Sequence, residues 1–203
     1  MTVSEGKYFG RKQGKSFQRL SRFQNLLFDP TNTFFQSIID KTLVLEIGIG
    51  DGMKISKDAS KDLDKTFIGC DIFIDGILRV ARYQSEHKLK NLFVFHSDIQ
   101  SLVIHLPMNS LDTVRVFFPD PWPKTRHKKR RTFSASLLEQ IIPAMKPESS
   151  LEFATDHGDY FLDALILVSK YGFKTKIKTP DMWQYSIFNA IGTKYEKKAL
   201  EKN

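Results

Sequence analysis

The chain has 203 residues, enough for one domain with a full core, and its 41% hydrophobic and 27% charged content is ordinary for a soluble globular protein. Lys and Arg total 31 against 23 Asp and Glu, a net charge of +8, which favours nucleic acid or an anionic membrane surface as partner and says nothing about fold. No apolar run approaches the ~18 residues that span a bilayer, the N-terminus lacks a signal-peptide core, and the lone Cys70 has neither a disulfide partner nor a metal-type Cys/His cluster; a cytoplasmic protein without a metal is expected.

Residues 1–30 read as a basic arm. Lys7, Arg11, Lys12, Lys15, Arg19 and Arg22 face only Glu5 and Asp29, with Tyr8, Phe9, Phe17 and Phe23 interleaved. Such an arm is either a solvated tail or an RNA contact. Residues 31–203 form the folded domain. Thr42–Ile47 is a short apolar strand, followed by strands at Thr66–Cys70, Leu92–Phe95, Leu111–Phe118 and Leu151–Ala154. Helical stripes lie between them at Ile77, Val80 and Ala81, and at Leu137, Leu138, Ile141 and Ile142. Tyr160 to Ser169 is apolar almost all round and is expected to be a well-buried helix. Strands alternating with helices imply an α/β fold, a parallel sheet with helices on both faces.

The first strand runs into Glu46-Ile47-Gly48-Ile49-Gly50-Asp51-Gly52. Gly48 and Gly50 permit backbone geometry closed to other residues and let a ligand approach the main chain. Ligands of doubly wound sheets sit at the carboxyl ends of the strands, and an acid about 20 residues on can accept from a ribose diol. Asp71 lies there, closing the second strand, and Asp98 closes the third, where it could meet the adenine end of a nucleoside. A Gly-rich turn alone fits either a nicotinamide or a sulfonium nucleoside. Glu46 would repel a pyrophosphate and attract a cationic sulfonium.

The fourth strand ends in Phe117-Phe118-Pro119-Asp120-Pro121-Trp122-Pro123-Lys124, then Thr125-Arg126-His127-Lys128-Lys129-Arg130-Arg131. The prolines fix their own φ and push the preceding residues out of the α region, so the loop is expected to be extended and stiff. Asp120 is held with little freedom at an active-site edge or caps a turn. Trp122 either stacks on a base or packs against the sheet edge. Lys124 to Arg131 holds six Lys or Arg, which is a phosphate-binding surface or a solvated run. His127 is expected to be a partner in that cluster, and Cys70 an inert buried thiol.

These motifs, with Gly10-Arg11, Ala154-Thr155-Asp156 and Thr193-Lys194-Tyr195-Glu196, resemble the bacterial tRNA (guanine-N7-)-methyltransferases nearly end to end. The Pro-Asp-Pro-Trp element is highly specific; the Gly turn is shared by methyltransferases generally. The resemblance implies a Rossmann-like S-adenosyl-L-methionine-dependent fold, a mostly parallel seven-stranded sheet whose last strand is antiparallel. It implies methyl transfer to N7 of guanosine 46 in the tRNA variable loop, giving 7-methylguanosine, by a monomer or homodimer. By carry-over, Glu46, Gly48, Gly50, Asp71, Asp98 and Asp120 bind the methyl donor, and Asp120 is also the catalytic residue. Lys124, Asp156, Thr193, Lys194, Tyr195 and Glu196 would contact substrate, and Arg126, Lys128, Lys129, Arg130 and Arg131 would contact RNA. The chain departs from the family pattern at Asp71, where glutamate is common, at Ser149-Ser150, where a glycine is usual, and at Lys198, where arginine is frequent. A methyltransferase for another RNA or for a small molecule is the alternative.

Overall fold

The structure is a computed structural model that describes residues 32–176. In chain order it contains α1 (Asn32–Ile38), β1 (Thr42–Ile47), α2 (Met53–Lys61), β2 (Lys65–Cys70), α3 (Ile74–His87), β3 (Leu92–Phe95), α4 (Ile99–Val103), β4 (Leu111–Phe117), a 3-10 turn (Thr125–Arg130), α5 (Ala135–Ile141), a second 3-10 turn (Ile142–Ala144), β5 (Met145–Ala154) and α6 (Gly158–Lys170).

The five strands make one sheet in the order β3-β2-β1-β4-β5, and every pairing is parallel. β1 and β2 are buried along all but their first residue, which is why they read as unbroken apolar runs. Alternate side chains feed two cores. Leu43, Leu45, Ile47, Ile68, Val114 and Val116 meet Phe35 of α1, Leu102 of α4, Leu138 of α5 and Tyr160 of α6 on one face. Val44, Phe67 and Val94 meet Ile55 and Ala59 of α2 and Ile77, Val80 and Ala81 of α3 on the other.

β1 pairs with β2 on one side and β4 on the other. The strand order therefore reverses at β1/β4, the place where open α/β sheets form a ligand crevice at their carboxyl edge.

Three expectations are revised. Five strands, not seven, lie among the described residues, and an antiparallel last strand would fall after residue 176, outside them. β5 begins at Met145, six residues before the expected Leu151. Its polar start, Lys146 to Ser150, hides a strand whose pairing jumps from Leu111–Met145 to Thr113–Ser150. α6 is not buried all round: Tyr160, Ala164 and Val168 face inward, while Leu162 and Ile166 are 58% and 57% exposed. No helix among the described residues is long and apolar enough to cross a membrane.

Candidate active site

The parallel sheet brings five acids to one edge. Asp98, Asp71, Glu46, Asp120 and Asp156 lie at or just beyond the carboxyl ends of β3, β2, β1, β4 and β5, in that spatial order. Neighbouring strands are about 4.8 Å apart, so these residues form a row along the rim.

After β1 the chain turns through Gly48, Gly50 and Gly52, all left-handed with φ of 76°, 58° and 74°. Gly48 N donates to the Cys70 carbonyl at 2.9 Å. A Cβ at Gly48 would meet nothing within 4 Å, so the turn is open on that side. At Gly76 the reverse holds: a Cβ would fall 1.8 Å from the Gly50 carbonyl oxygen, so glycine there lets α3 close on the turn. Asp71 ties the first two strand ends together. Its Oδ2 accepts from Gly50 N at 2.8 Å and its Oδ1 from Phe73 N at 2.7 Å. Ile72 N also bonds this carboxylate, and since two carboxylate oxygens offer about four acceptor sites, room remains for an incoming hydroxyl. Burial raises the Asp71 carboxyl above its ordinary range, against the pull of those N–H groups. Asp98 caps α4, its Oδ1 accepting from Ser101 N at 2.8 Å. Cys70 is buried, and burial pushes its thiol up, which makes it inert.

Glu46 is set deeper than the other acids, only 3% exposed. It shares a face of β1 with Val44, beneath α2, and its register partner on β4 is Arg115. Arg115 donates through Nη1 to Asp58 at 2.8 Å and through Nε to Glu152 at 2.9 Å. Lys54 pairs with the same Asp58 oxygen. Burial drives the Glu46 carboxyl up to about 7, and Arg115 and Lys54 only partly oppose it. Its Oε2 is buried with no hydrogen-bond partner. A buried acceptor of that kind is matched by a cationic donor from a ligand. The orphaned oxygen, the open turn at Gly48 and the remaining acceptor capacity of Asp71 together fit the ammonium and ribose ends of S-adenosylmethionine.

At the other half of the rim, Phe118 N donates to the Ala154 carbonyl at 2.8 Å, fastening the end of β4 to β5. The loop that follows is not uniformly extended. Phe118 and Trp122 are left-handed, at φ of 48° and 41°. Both precede prolines, which deny them the right-handed region, and such backbone costs of order 1–3 kcal/mol per residue. Between them Asp120 is exposed. Asp156 is exposed too and is not the α6 cap: His157 occupies that position, with no side-chain capping bond.

The basic block is a 3-10 turn with an outer and an inner side. Lys124, Arg126 and Lys129 are exposed. Arg126 Nε donates to His127 Nε2 at 3.3 Å, and His127 meets the Trp122 ring edge-on at 5.8 Å between centroids. Arg130 lies 5.0 Å from the Trp122 ring centre. Trp122 therefore packs within its own loop yet stays half-buried. Lys128 Nζ donates to Asp163 Oδ2 at 2.9 Å. Arg131, expected with its neighbours to contact RNA, is set differently from them in the folded chain. Its side chain is 4% exposed, turned inward by bonds to Asp163 and to the Pro121 carbonyl. Thr193, Lys194, Tyr195 and Glu196 lie outside the described residues, as does the basic arm.

Sequence reasoning missed the charged cluster of Arg115, Asp58, Lys54 and Glu152 around Glu46. Arg115 was the available signal, since a charge in the middle of an apolar strand needs partners. Among the described residues no group of three or more His, Cys, Asp or Glu could hold a metal.

Sheet order and Gly turn define a Rossmann-like fold, and the family model that matches residues 40–203 gives it the class of an S-adenosylmethionine-dependent methyltransferase. Among solved structures, an antibiotic-related methyltransferase superposes with a TM-score of 0.63 at 21% identity, covering 84% of this chain and 87% of that one. Precorrin-6y C5,15-methyltransferase from Geobacter metallireducens superposes at 0.56 and 11% identity, covering 85% and 79%. Those likenesses concern the fold. A family model described as "Putative methyltransferase" matches residues 40–203. The tRNA (guanine-N(7)-)-methyltransferase of Hyphomonas neptunium is 38% identical over 157 residues, covering 77% of this chain and 72% of that protein. A bifunctional methyltransferase of Rickettsia prowazekii is 31% identical over 207 residues, 99% of this chain and 39% of that protein. The chain thus spans about two fifths of the length of that relative. It belongs to the bacterial tRNA (guanine-N7-)-methyltransferase family.

Proposed function

We propose that this chain transfers the methyl group of S-adenosyl-L-methionine to N7 of guanosine 46 in the variable loop of tRNA, forming 7-methylguanosine. The observation that carries the reading is the row of acids along one sheet edge, with Asp120 held on a strained loop that runs straight into a basic turn. The relatives named for guanine-N7 methylation of tRNA support the substrate class.

The bound donor would supply an electrophilic methyl on a cationic sulfur. Glu46 would pair with its ammonium, Asp71 with its ribose hydroxyls, and Asp98 would flank its adenine, while the backbone at Gly48 and Gly50 allows close approach. Guanine N7 carries an in-plane lone pair and no proton, so the nucleophile needs no general base. The lone pair forms the N–C bond as the C–S bond breaks, and the bonding electrons stay on sulfur. Positive charge leaves sulfur and appears on the guanine ring. Asp120 stabilises that charge and accepts from the N1 and N2 edge, which orients the base. Lys124, Asp156 and residues 193–196 would hold the substrate. Arg126, Lys128, Lys129 and Arg130 would meet the phosphates.

Nucleoside mass spectrometry on tRNA treated with enzyme and donor, followed by mapping of the modified base, tests this. 7-Methylguanosine at position 46 is expected. Methylation of another RNA, or of a small molecule only, would overturn it.

A further inference from the structure

Arg131 sits at the end of the basic run yet is directed the opposite way from a phosphate contact. Resting on the methyl-transfer reading above, we propose that Arg131 is a positioning residue that sets the Pro119–Trp122 loop by clamping its backbone to α6. Four observations carry this. Arg131 Nε donates to the Pro121 carbonyl at 2.8 Å, one residue before left-handed Trp122. Nη1 donates to Asp163 Oδ2 on α6 at 2.6 Å. The guanidinium lies 4.3 Å from the Tyr160 ring centre, and the Tyr160 hydroxyl accepts from Phe133 N at 2.9 Å, two residues beyond Arg131. The side chain is 4% exposed, so no phosphate reaches it without the loop opening.

A guanidinium suits this work because its donors have a fixed planar geometry. Nε and Nη1 engage two acceptors at once, so the spacing between the Pro121 carbonyl and α6 is set by the side chain itself. A lysine offers one flexible nitrogen and can keep Asp163 or the Pro121 carbonyl in such geometry, not both. Asp163 also holds Lys128. One carboxylate on α6 thereby anchors the inner side of the basic turn and leaves Lys124, Arg126 and Lys129 exposed. Asp120 and Trp122 flank the clamped carbonyl on either side, so its loss displaces both.

The test uses Arg131→Lys and Asp163→Asn in the full chain. Trp122 and Trp183 are its only tryptophans, so in a Trp183→Phe background fluorescence reports on Trp122 alone. Acrylamide quenching of Trp122 is expected to rise in both variants, which needs no catalysis to read. With Trp183 retained, kcat is expected to fall roughly 10- to 100-fold, as for a displacement on the scale of 1 Å. In Arg131→Lys, which keeps the charge and leaves Lys128 its partner, KM for tRNA and the salt dependence of tRNA binding are expected to hold. Unchanged kcat with raised KM for tRNA in Arg131→Lys would make Arg131 a phosphate contact and overturn the proposal. Unchanged quenching in folded variants would overturn it as well. If Arg131→Lys fails to fold, Asp163→Asn decides, because it keeps every cation: tighter tRNA binding at unaltered kcat is the refuting result. A wild-type chain inert toward tRNA would sink the functional reading and leave the quenching result to judge the clamp.

Discussion

Glu46 offers a sharp test, because its burial makes pH a probe of the donor site. Its carboxyl moves from an ordinary 4.5 to about 7 on folding, mainly through desolvation. At 1.36 kcal/mol per tenfold change, that amounts to roughly 3 kcal/mol against the ionised form. The sign follows from proton counting. Between 4.5 and about 7 the folded chain binds a proton that the unfolded chain has lost, so raising the pH lowers stability. The contribution is fully present below 4.5 and gone once pH has passed through about 7. Glu46→Gln keeps the shape and removes the titration. Urea unfolding of both proteins from pH 5 to 8 should show the variant gaining on the parent as pH rises, by up to roughly 3 kcal/mol. The same burial predicts that near pH 6 a cationic donor drives a proton off Glu46. Titration calorimetry in buffers of different ionisation enthalpy would count that proton, and Glu46→Gln should abolish it. A stability difference independent of pH, or one that favours the parent at pH 8, would mean that Arg115 and Lys54 keep Glu46 ionised throughout.

Asp120→Asn should lower kcat by roughly 10²–10³-fold, the range for deleting one preorganised electrostatic group, with little change in donor affinity; a rate that survives refutes its role. tRNA affinity should fall with added salt, log K against log salt having a slope of ~0.7–0.9 per phosphate neutralised; a flat plot would remove the basic turn from the RNA interface. Gly48→Ala and Gly76→Ala should separate open space from filled space. The first keeps its room but adopts left-handed backbone, at about 1–2 kcal/mol, and should weaken donor binding in calorimetry. The second drives a methyl into the Gly50 carbonyl and should lower urea-unfolding stability by roughly 1–3 kcal/mol. A Gly76→Ala variant as stable as the parent would contradict that geometry.

The central strands were legible because a parallel strand buried on both faces can only be apolar, as Leu43–Ile47 and Phe67–Cys70 are. Of the short helices only α5 was, from its stripe at Leu137, Leu138 and Ile141; α1, α2 and α4 were not. α2 (Met53–Lys61) places only Ile55 and Ala59 in the hydrophobic core, too few apolar positions to make a visible stripe. The Tyr160–Ser169 run misled in the other direction, since hydrophobicity all round a helix does not say how many neighbours cover it. Leu162 and Ile166 point outward because the sheet and α5 lie on one side only. Within the site, the acid at each strand end could be read from spacing, but its environment could not. Asp71 accepts from Gly50 N, 21 residues away in the chain, which the fold alone brings near. Arg131 cannot be told from Arg130 by sequence, because what turns it inward is Asp163, 32 residues on.

The division of labour along the rim follows from the topology. The strand order reverses between β1 and β4, so the acids fall into two groups on either side of that point. Glu46, Asp71 and Asp98 belong to β1–β3, the half that carries the Gly turn. Asp120 and Asp156 belong to β4 and β5, the half that carries the basic turn. A cationic nucleoside suits the first half, where acids are partly buried and no basic run follows a strand. A polyanion suits the second, where cations lie within a few residues of Asp120. Methyl transfer under the proposed function then crosses the β1/β4 boundary, and Asp120 is the first acid on the receiving side. Under that proposal a carboxylate there gains interaction as the charge moves onto guanine, which is where a rate-enhancing group has to act.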